Sequence, residues 1–248
     1  LDRFKQREPF DEKEISMTDL LFPAPPVHTI PVEGESAAFP IHRIFCVGRN
    51  YAAHAAEMGN TPDYEAPFYF TKSPAHAIGS GASIPYPLET SNYHHEMELA
   101  ILIGAPAFRI AQEEALSVVY GYCCALDMTR RDLQGASKDK RRPWDTGKDF
   151  EASAIFAQAR KAEAFGTVVD QRIYLEVNGE MRQDASFAEL IHSVPAVIAD
   201  LSKYYHLNAG DVIMTGTPAG VGAVVAGDIL RGGVEGLAPI ELRLSAPD

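Results

Sequence analysis

The apolar positions change period several times along the chain, and each change marks an element. Ile41 to Val47 is strand-like. Gly48-Arg49-Asn50 interrupts it, and the alanine-rich stretch that follows predicts a short helix with Asn50 as its N-cap and Gly59 as its stop. Pro67 to Lys72 and Ser83 to Tyr86 read as short strands between Gly and Pro turns, and His95 to Ile103 is the clearest strand of all. Gln112 to Leu116 begins a short helix and Val118 to Asp127 reads as a buried strand. Thr129 then opens a helix, with Asp132 three residues on in the manner of a capping box and Pro143 ending it.

Further on, Ile173 to Val177, Asn178-Gly179 and Glu180 to Gln183 predict a hairpin with a type I′ turn, which needs positive φ at both central residues. Val194, Val197, Ile198, Leu201 and Tyr205 recur at helical spacing from Ser193, the one long helix expected. Ala209-Gly210-Asp211 and Ala226-Gly227-Asp228 each precede an apolar pair, as turns entering strands do. Ahead of these elements, Met17 to Pro40 is rich in proline and reads as extended chain wrapping the surface. Residues 1–16 are crowded with charge and read as an appended leader or a tail outside the core. The expected organisation is an N-terminal arm over residues 1–40 and one β-rich catalytic domain over 41–248.

Composition narrows the class. A chain of 248 residues that is 46% hydrophobic can bury a real core. Its net charge of -12 is spread along the sequence, and no Lys/Arg stripe interleaves with aromatics, so nucleic acid is not an expected partner. The apolar run Val118 to Leu126 is too short to span a bilayer, and no charged-then-apolar leader opens the chain, so no membrane is expected either. Cys46, Cys123 and Cys124 form no CxxC and suggest neither a disulfide framework nor a zinc knuckle; a reducing cytoplasm is the expected setting.

The chemistry concentrates in a few places. In His94-His95-Glu96-Met97-Glu98-Leu99 a strand would put Glu96 and Glu98 on one face and Met97, Leu99 and Ile101 on the other. Two adjacent carboxylates repel, so either that face is wet or a cation sits between them. Asp127 ends an apolar run, where a lone carboxylate is costly to bury unless paired or metal-bound, though it would also serve as a helix cap. Three hard oxygen donors without Cys or H-x-x-x-H suit Mg²⁺ or Mn²⁺ better than zinc, and Ca²⁺ would need more ligands.

His54 and Glu57 stand three apart among alanines, so a helix would hold the carboxylate against the imidazole; the pair is either a general base or an ordinary surface pair. Arg131 and Gln134 share a helix face just after Asp127, and Lys148 follows in Gly147-Lys148-Asp149. Near a metal such donors bind a substrate carboxylate or a developing oxyanion; elsewhere they are solvated residues. Thr215-Gly216-Thr217-Pro218-Ala219-Gly220-Val221-Gly222 is too glycine-rich for a core strand and lacks the ending of a phosphate loop. It reads as a tight turn bringing backbone amides near a ligand.

Taken in order, Gly48-Arg49-Asn50-Tyr51 with His54 and Glu57, His95-Glu96-Met97-Glu98-Leu99, Asp127-Met128-Thr129-Arg130-Arg131-Asp132-Leu133-Gln134, Gly147-Lys148-Asp149-Phe150 and the 215–222 turn resemble the fumarylacetoacetate hydrolase family. The resemblance covers about Ile44 to the C-terminus. It implies an α+β fold, a roll of mixed β-sheets with a β-rich core and short peripheral helices, usually a homodimer. It implies metal ligation by Glu96, Glu98 and Asp127, catalysis by His54, Glu57 and Lys148, and substrate binding by Arg131, Gln134 and Thr217. One departure is Lys72-Ser73-Pro74, where relatives often show Lys-Pro directly, which leaves the role of Lys72 open.

Within the family, the Asp127–Gln134 stretch and the short chain look most like the fumarylpyruvate hydrolases of aromatic degradation, the gentisate route, and the related acylpyruvases. The implied reaction is hydrolysis of a carbon–carbon bond in a small dicarbonyl acid, giving pyruvate and a carboxylic acid. The alternatives are an oxaloacetate decarboxylase, a hydratase or isomerase of 2-oxo-diene acids on the same scaffold, and a metal- or ligand-binding protein without turnover.

Overall fold

The computed structural model describes residues 20–57, 59 and 64–248. Among them the chain forms an α+β roll of four sheets with short helices outside. The largest sheet runs in the order Phe68–Lys72, Arg43–Gly48, Asp211–Met214, Met97–Ile103, Val119–Asp127, Ala154–Phe156, Ala77–Gly79, with Arg160–Lys161 beside Val119–Asp127. It is mixed: Arg43–Gly48 lies parallel to Asp211–Met214, and Met97–Ile103 antiparallel to both its neighbours. A second sheet orders Glu180–Ser186, Arg172–Val177, Ile229–Val234, Ile240–Ser245 and Ala82–Pro85.

Alternation along Met97–Ile103 shows why the sheets stack. Met97, Leu99, Ile101 and Ile103 face Ile173, Leu175, Leu230 and Leu242 of the second sheet and Val197 and Leu201 of the Val194–Leu201 helix. Ala100 and Leu102 face the other way, among Cys123, Ala125, Ile44, Val212 and Met214. Every residue of the strand is buried, so it is flanked by apolar layers on both sides. Ile30, Val32 and Phe39 close the second layer; the proline-rich segment therefore does more than wrap, since it contributes core. Residues 1–16, read as a leader, lie outside the described residues.

The Asn178-Gly179 turn has φ of 54° and 82°, as the type I′ reading requires. The turns at Gly210 and Gly227, with φ of 96° and 97°, lead into Asp211–Met214 and Ile229–Val234.

Other expectations are corrected. His95–Ile103 is two strands: Tyr93–His95 joins a small sheet with Thr129–Arg130 and Gly222–Val224, and Met97–Ile103 joins the large one. The chain changes sheets at Glu96, and the Met97 amide there donates to the Gln183 side chain instead of to a strand. Thr129 does not open a helix, because its backbone pairs with His94; the helix is Arg131–Asp139, without a side-chain cap, and Asp132 instead accepts from Thr90 and Ser91. Asn50 is no N-cap either. Its amide reaches across the fold, donating to the His192 and Thr215 carbonyls at 2.9 Å each and accepting from the His192 amide at 2.7 Å. The helix from Ser193 stops at Leu201, short of Tyr205, where the Ser202 hydroxyl turns back to the Ala199 carbonyl. Among the described residues no helix is long and apolar enough to cross a membrane.

Candidate metal centre and active site

Antiparallel register does the first work of building the site. Met97 pairs with Leu126 and Glu98 with Ala125, so continuing the ladder sets Glu96 opposite Asp127, whose amide donates to the Glu96 carbonyl at 2.9 Å. Opposed residues share a face, and Glu96, Glu98 and Asp127 end up with ligand oxygens all within 4.8 Å of one another. The face is not wet: the three residues are 5%, 1% and 0% exposed. Nor is Asp127 a helix cap, since it is the last residue of its strand.

Three buried carboxylates demand compensation, and the sequence supplies it unevenly. Lys148, on the short helix Asp145–Lys148, donates to Glu96 at 2.8 Å and to Asp127 at 2.7 Å. Arg131 pairs with the other oxygen of Glu96 and donates to the Gln134 carbonyl oxygen at 2.7 Å. Burial alone would push Glu96 toward the neutral acid, but Lys148, then Arg131 and His54, outweigh it and hold the carboxyl below its ordinary range. Lys148 is held above its ordinary value by Asp127 and Glu96 despite its own burial.

Glu98 has no such partner. It accepts a hydrogen bond from the Gly216 amide, at 2.7 Å. Burial first, then the charges of Asp127 and Glu96, push its carboxyl well above the usual range. Asp127 Oδ1 is similarly underserved: Lys72 Nζ lies 2.9 Å away, but off the direction of a hydrogen bond, so the contact is one of charge alone. A buried carboxyl pushed toward its neutral form and a buried oxygen without a donor, in an all-oxygen set, fit a hard divalent cation such as Mg²⁺ or Mn²⁺.

The opposite wall is local in sequence. On the helix Ala52–Glu57, His54 Nδ1 lies 3.2 Å from Glu57 Oε2, with His54 buried and Glu57 partly exposed. The Gly220 amide also donates to Glu57, at 3.0 Å and 3.2 Å to its two oxygens, fastening the 215–222 turn to this helix. Two amides of that turn, those of Gly216 and Gly220, thus serve Glu98 and Glu57 instead of lying open to a ligand. Thr217 lines the cleft, but its hydroxyl donates to the Met97 carbonyl at 2.9 Å and accepts from Gln183 at 2.8 Å. His54, Glu96, Glu98, Arg131, Gln134, Lys148 and Thr217 all border one cleft, which Phe68, Phe70 and Trp144 also line.

Two buried residues were given no role by the sequence reading, which left that of Lys72 open and passed over Gln183. Lys72 reaches Asp127, the Met128 carbonyl and the Lys148 carbonyl, so it props the floor from beneath. A single lysine closing the aromatic strand Phe68-Tyr69-Phe70-Thr71 was the available signal. The serine after it is accommodated, its amide donating to Asp149 at 2.7 Å and its hydroxyl capping the turn Pro74–His76. Gln183 is fully buried on a hairpin strand that is otherwise mostly exposed. It accepts from the Met97 amide at 3.0 Å, lies 3.1 Å from His95 Nδ1, and donates to Thr217 and to the Pro218 carbonyl. All its hydrogen-bonding capacity goes to holding the sheet switch at Glu96 against the 215–222 turn. Nothing in local sequence announces that.

Known proteins agree with this picture. The family model described as "Fumarylacetoacetate (FAA) hydrolase C-terminal" matches residues 43–245. A protein named fumarylpyruvate hydrolase from Ralstonia sp. is 54% identical over 188 residues, 75% of this chain and 97% of that protein. The oxaloacetate tautomerase YcgM of Escherichia coli is 38% identical over 199 residues, 80% of this chain and 90% of the relative. Among solved structures, fumarylpyruvate hydrolase from Pseudomonas aeruginosa in complex with Mn²⁺ and pyruvate superposes with a TM-score of 0.88 at 40% identity, covering 92% of this chain and 99% of that one.

Proposed function

The chain belongs to the fumarylacetoacetate hydrolase family, and on that premise we propose that it hydrolyses the carbon–carbon bond of an acylpyruvate, fumarylpyruvate to fumarate and pyruvate. The observation that supports this most is one cleft bordered both by Glu96 and Glu98, which cluster with the buried Asp127, and by His54, which pairs with Glu57. Glu96, Glu98 and Asp127 would hold Mg²⁺ or Mn²⁺. When bound, that cation supplies Lewis acidity toward the pyruvoyl oxygens and favours departure of pyruvate as its enolate.

The remaining work falls to side chains. Glu57, accepting from His54 Nδ1, fixes the imidazole with Nε2 free to take a proton from water. That water attacks the distal carbonyl, the bond to the pyruvoyl methylene breaks, and its electron pair leaves with pyruvate, whose carbon regains a proton. Lys148 stays charged beside the reacting centre. Gln134 gives its carbonyl oxygen to Arg131, which leaves its NH₂ to donate to the developing oxyanion. Arg131 orients Gln134 and Glu96, and Thr217 shapes the wall opposite.

The relatives named as tautomerases stand at 37–38% identity, against 54% for the named hydrolase, and the His54–Glu57 dyad has a use in water attack; both favour hydrolysis. Residues 41–248 act as one catalytic unit in this reading, with residues 1–40 as an arm, assembled as a homodimer in the cytoplasm. The resemblance and the three unpaired, buried cysteines support that setting.

The test is the ultraviolet absorbance of enolised fumarylpyruvate with and without Mn²⁺ or Mg²⁺. Metal-dependent loss with equal amounts of pyruvate and fumarate is expected. No loss, with pyruvate formed from oxaloacetate instead, overturns the hydrolase reading.

A further inference from the structure

The cleft holds more positive charge than its carboxylates account for. Lys148 and Arg131 are committed to Glu96 and Asp127. Two further cations border the same cleft, Arg49 and Lys138, and among the described residues neither makes an ion pair or a side-chain hydrogen bond.

Both are held where they are. Arg49 follows the strand Arg43–Gly48 with a φ of 53°, a left-handed conformation that non-glycine residues rarely adopt. Its guanidinium lies over the Phe68 ring, 4.7 Å from the centroid, and that ring is pressed against Gly48, where a Cβ would come within 2.0 Å of it. The cation is thus aimed by backbone and stacking together. Lys138 sits seven residues after Arg131 and four after Gln134 on the helix Arg131–Asp139, so the three share one face. Arg131 and Lys138 are then separated by about 10 Å along the axis, comparable with the length of an extended short-chain diacid.

Lys138 is held below its ordinary value by burial first, then by the positive charges of Arg49 and Arg131, which together outweigh the neighbouring Asp139. Two cations close enough to feel each other, neither with an ion-pair partner among the described residues, are complementary to an anion that arrives with the substrate.

We propose that Arg49 and Lys138 form the subsite for a second carboxylate, at the acyl end of the substrate, and so make the enzyme selective for diacid acylpyruvates over monoacid ones. The inference deepens the hydrolase reading and rests on it for the orientation of the substrate: pyruvoyl end at Glu96, Glu98 and Asp127, distal carboxylate between Arg49 and Lys138, carbon chain under Phe68 and Trp144. Arg131 is excluded from the distal role because Glu96 and Gln134 already occupy it.

Two measurements on the full-length protein test this. In the first, kcat/KM is compared for fumarylpyruvate and for acetylpyruvate, which lacks the distal carboxylate, in wild type, Arg49→Met and Lys138→Met. Loss of a charged hydrogen-bonding partner is expected to lower the diacid-to-monoacid ratio about 10- to 100-fold. An unchanged ratio in both variants overturns the subsite.

In the second, binding of fumarate and of crotonate, which has the same skeleton and one carboxylate, is followed through Trp144, the chain's single tryptophan, which lines the cleft. Wild type should prefer fumarate, and the variants should lose the preference; a wild type that binds both equally contradicts the proposal. Should no acylpyruvate be turned over while the fumarate preference persists and depends on Arg49 and Lys138, the reaction assigned above fails and the anion subsite stands.

Discussion

The two walls of the cleft are built on opposite principles. The floor bearing Glu96, Glu98 and Asp127 comes from adjacent strands in the middle of the largest sheet, with apolar layers on both faces and every carboxylate nearly or fully buried. The wall bearing His54 and Glu57 is a six-residue helix beyond an inner strand, tied to the rest by Asn50 and by the Gly220 amide. Disturbing the floor should affect metal and turnover together, and folding as well where a paired charge such as Glu96 is removed. Disturbing the wall should affect turnover alone. On the proposed roles, the residues that would hold a multiply charged ion sit where the fold is least deformable, and the pair that would move a proton sits on a local element.

The largest expected effect is at Glu96. Its carboxylate is shared by Lys148 and Arg131, so Glu96→Gln leaves two buried cations short of a partner. The loss of stability expected is about 3–5 kcal/mol, read by urea denaturation, with turnover abolished. A variant as stable as wild type would break the contrast between floor and wall.

A second test lies where floor and wall meet. Gly216 has a φ of 94°, and a Cβ there would come within 2.9 Å of the Asn50 side chain and 3.2 Å of the Val47 carbonyl. Gly216→Ala should cost roughly 1–3 kcal/mol through backbone strain and should weaken Mn²⁺ binding by displacing the amide that Glu98 uses. Thermal denaturation and calorimetric metal titration measure the two separately.

The smallest effect is a pH dependence internal to the floor. Glu98, whose carboxyl is raised, stabilises the metal-free fold fully below the ordinary carboxylate pKa of about 4.3, and this is lost as pH rises through the raised value. Glu96, whose carboxyl is lowered, acts in the opposite sense: its contribution is present above the ordinary value and lost as pH falls through the lowered one. The metal-free protein should therefore lose stability on the alkaline side, and added Mn²⁺ should restore more of it there, because the cation replaces a proton on Glu98. Melting temperatures across pH, with and without Mn²⁺, check this. A metal increment that is flat with pH would remove Glu98 from the account.

The same contrast explains what could be read from sequence. The wall was legible because it is local: His54 and Glu57 at helical spacing, the Asn-Gly hairpin and the strand-entering glycine turns are decided within a few residues of chain. The floor was legible in its parts, since alternation assigned Glu96 and Glu98 a common face and the apolar run isolated Asp127. Their assembly depends on a strand register that no spacing encodes, and it was reached through the order of motifs and their family resemblance.

What could not be read is non-local satisfaction. Asn50 looks like an N-cap until two distant carbonyls claim its amide, Thr129 looks like a helix start until His94 pairs with its backbone, and Gln183 looks like a surface residue of a hairpin until the sheet switch at Glu96 needs four hydrogen bonds. In each case a buried polar group had to find a partner far along the chain.

The division of labour between floor and wall is tested most directly by measuring Mn²⁺ binding and fumarylpyruvate turnover side by side in Glu98→Gln and His54→Gln. Gln at 98 keeps the shape of the neutral acid, so that variant should fold as wild type and fail to hold the metal. His54→Gln should bind Mn²⁺ as wild type does and turn over roughly 10²–10⁴-fold more slowly. A His54→Gln enzyme of full activity, or a Glu98→Gln protein that still binds the metal tightly, would contradict the account.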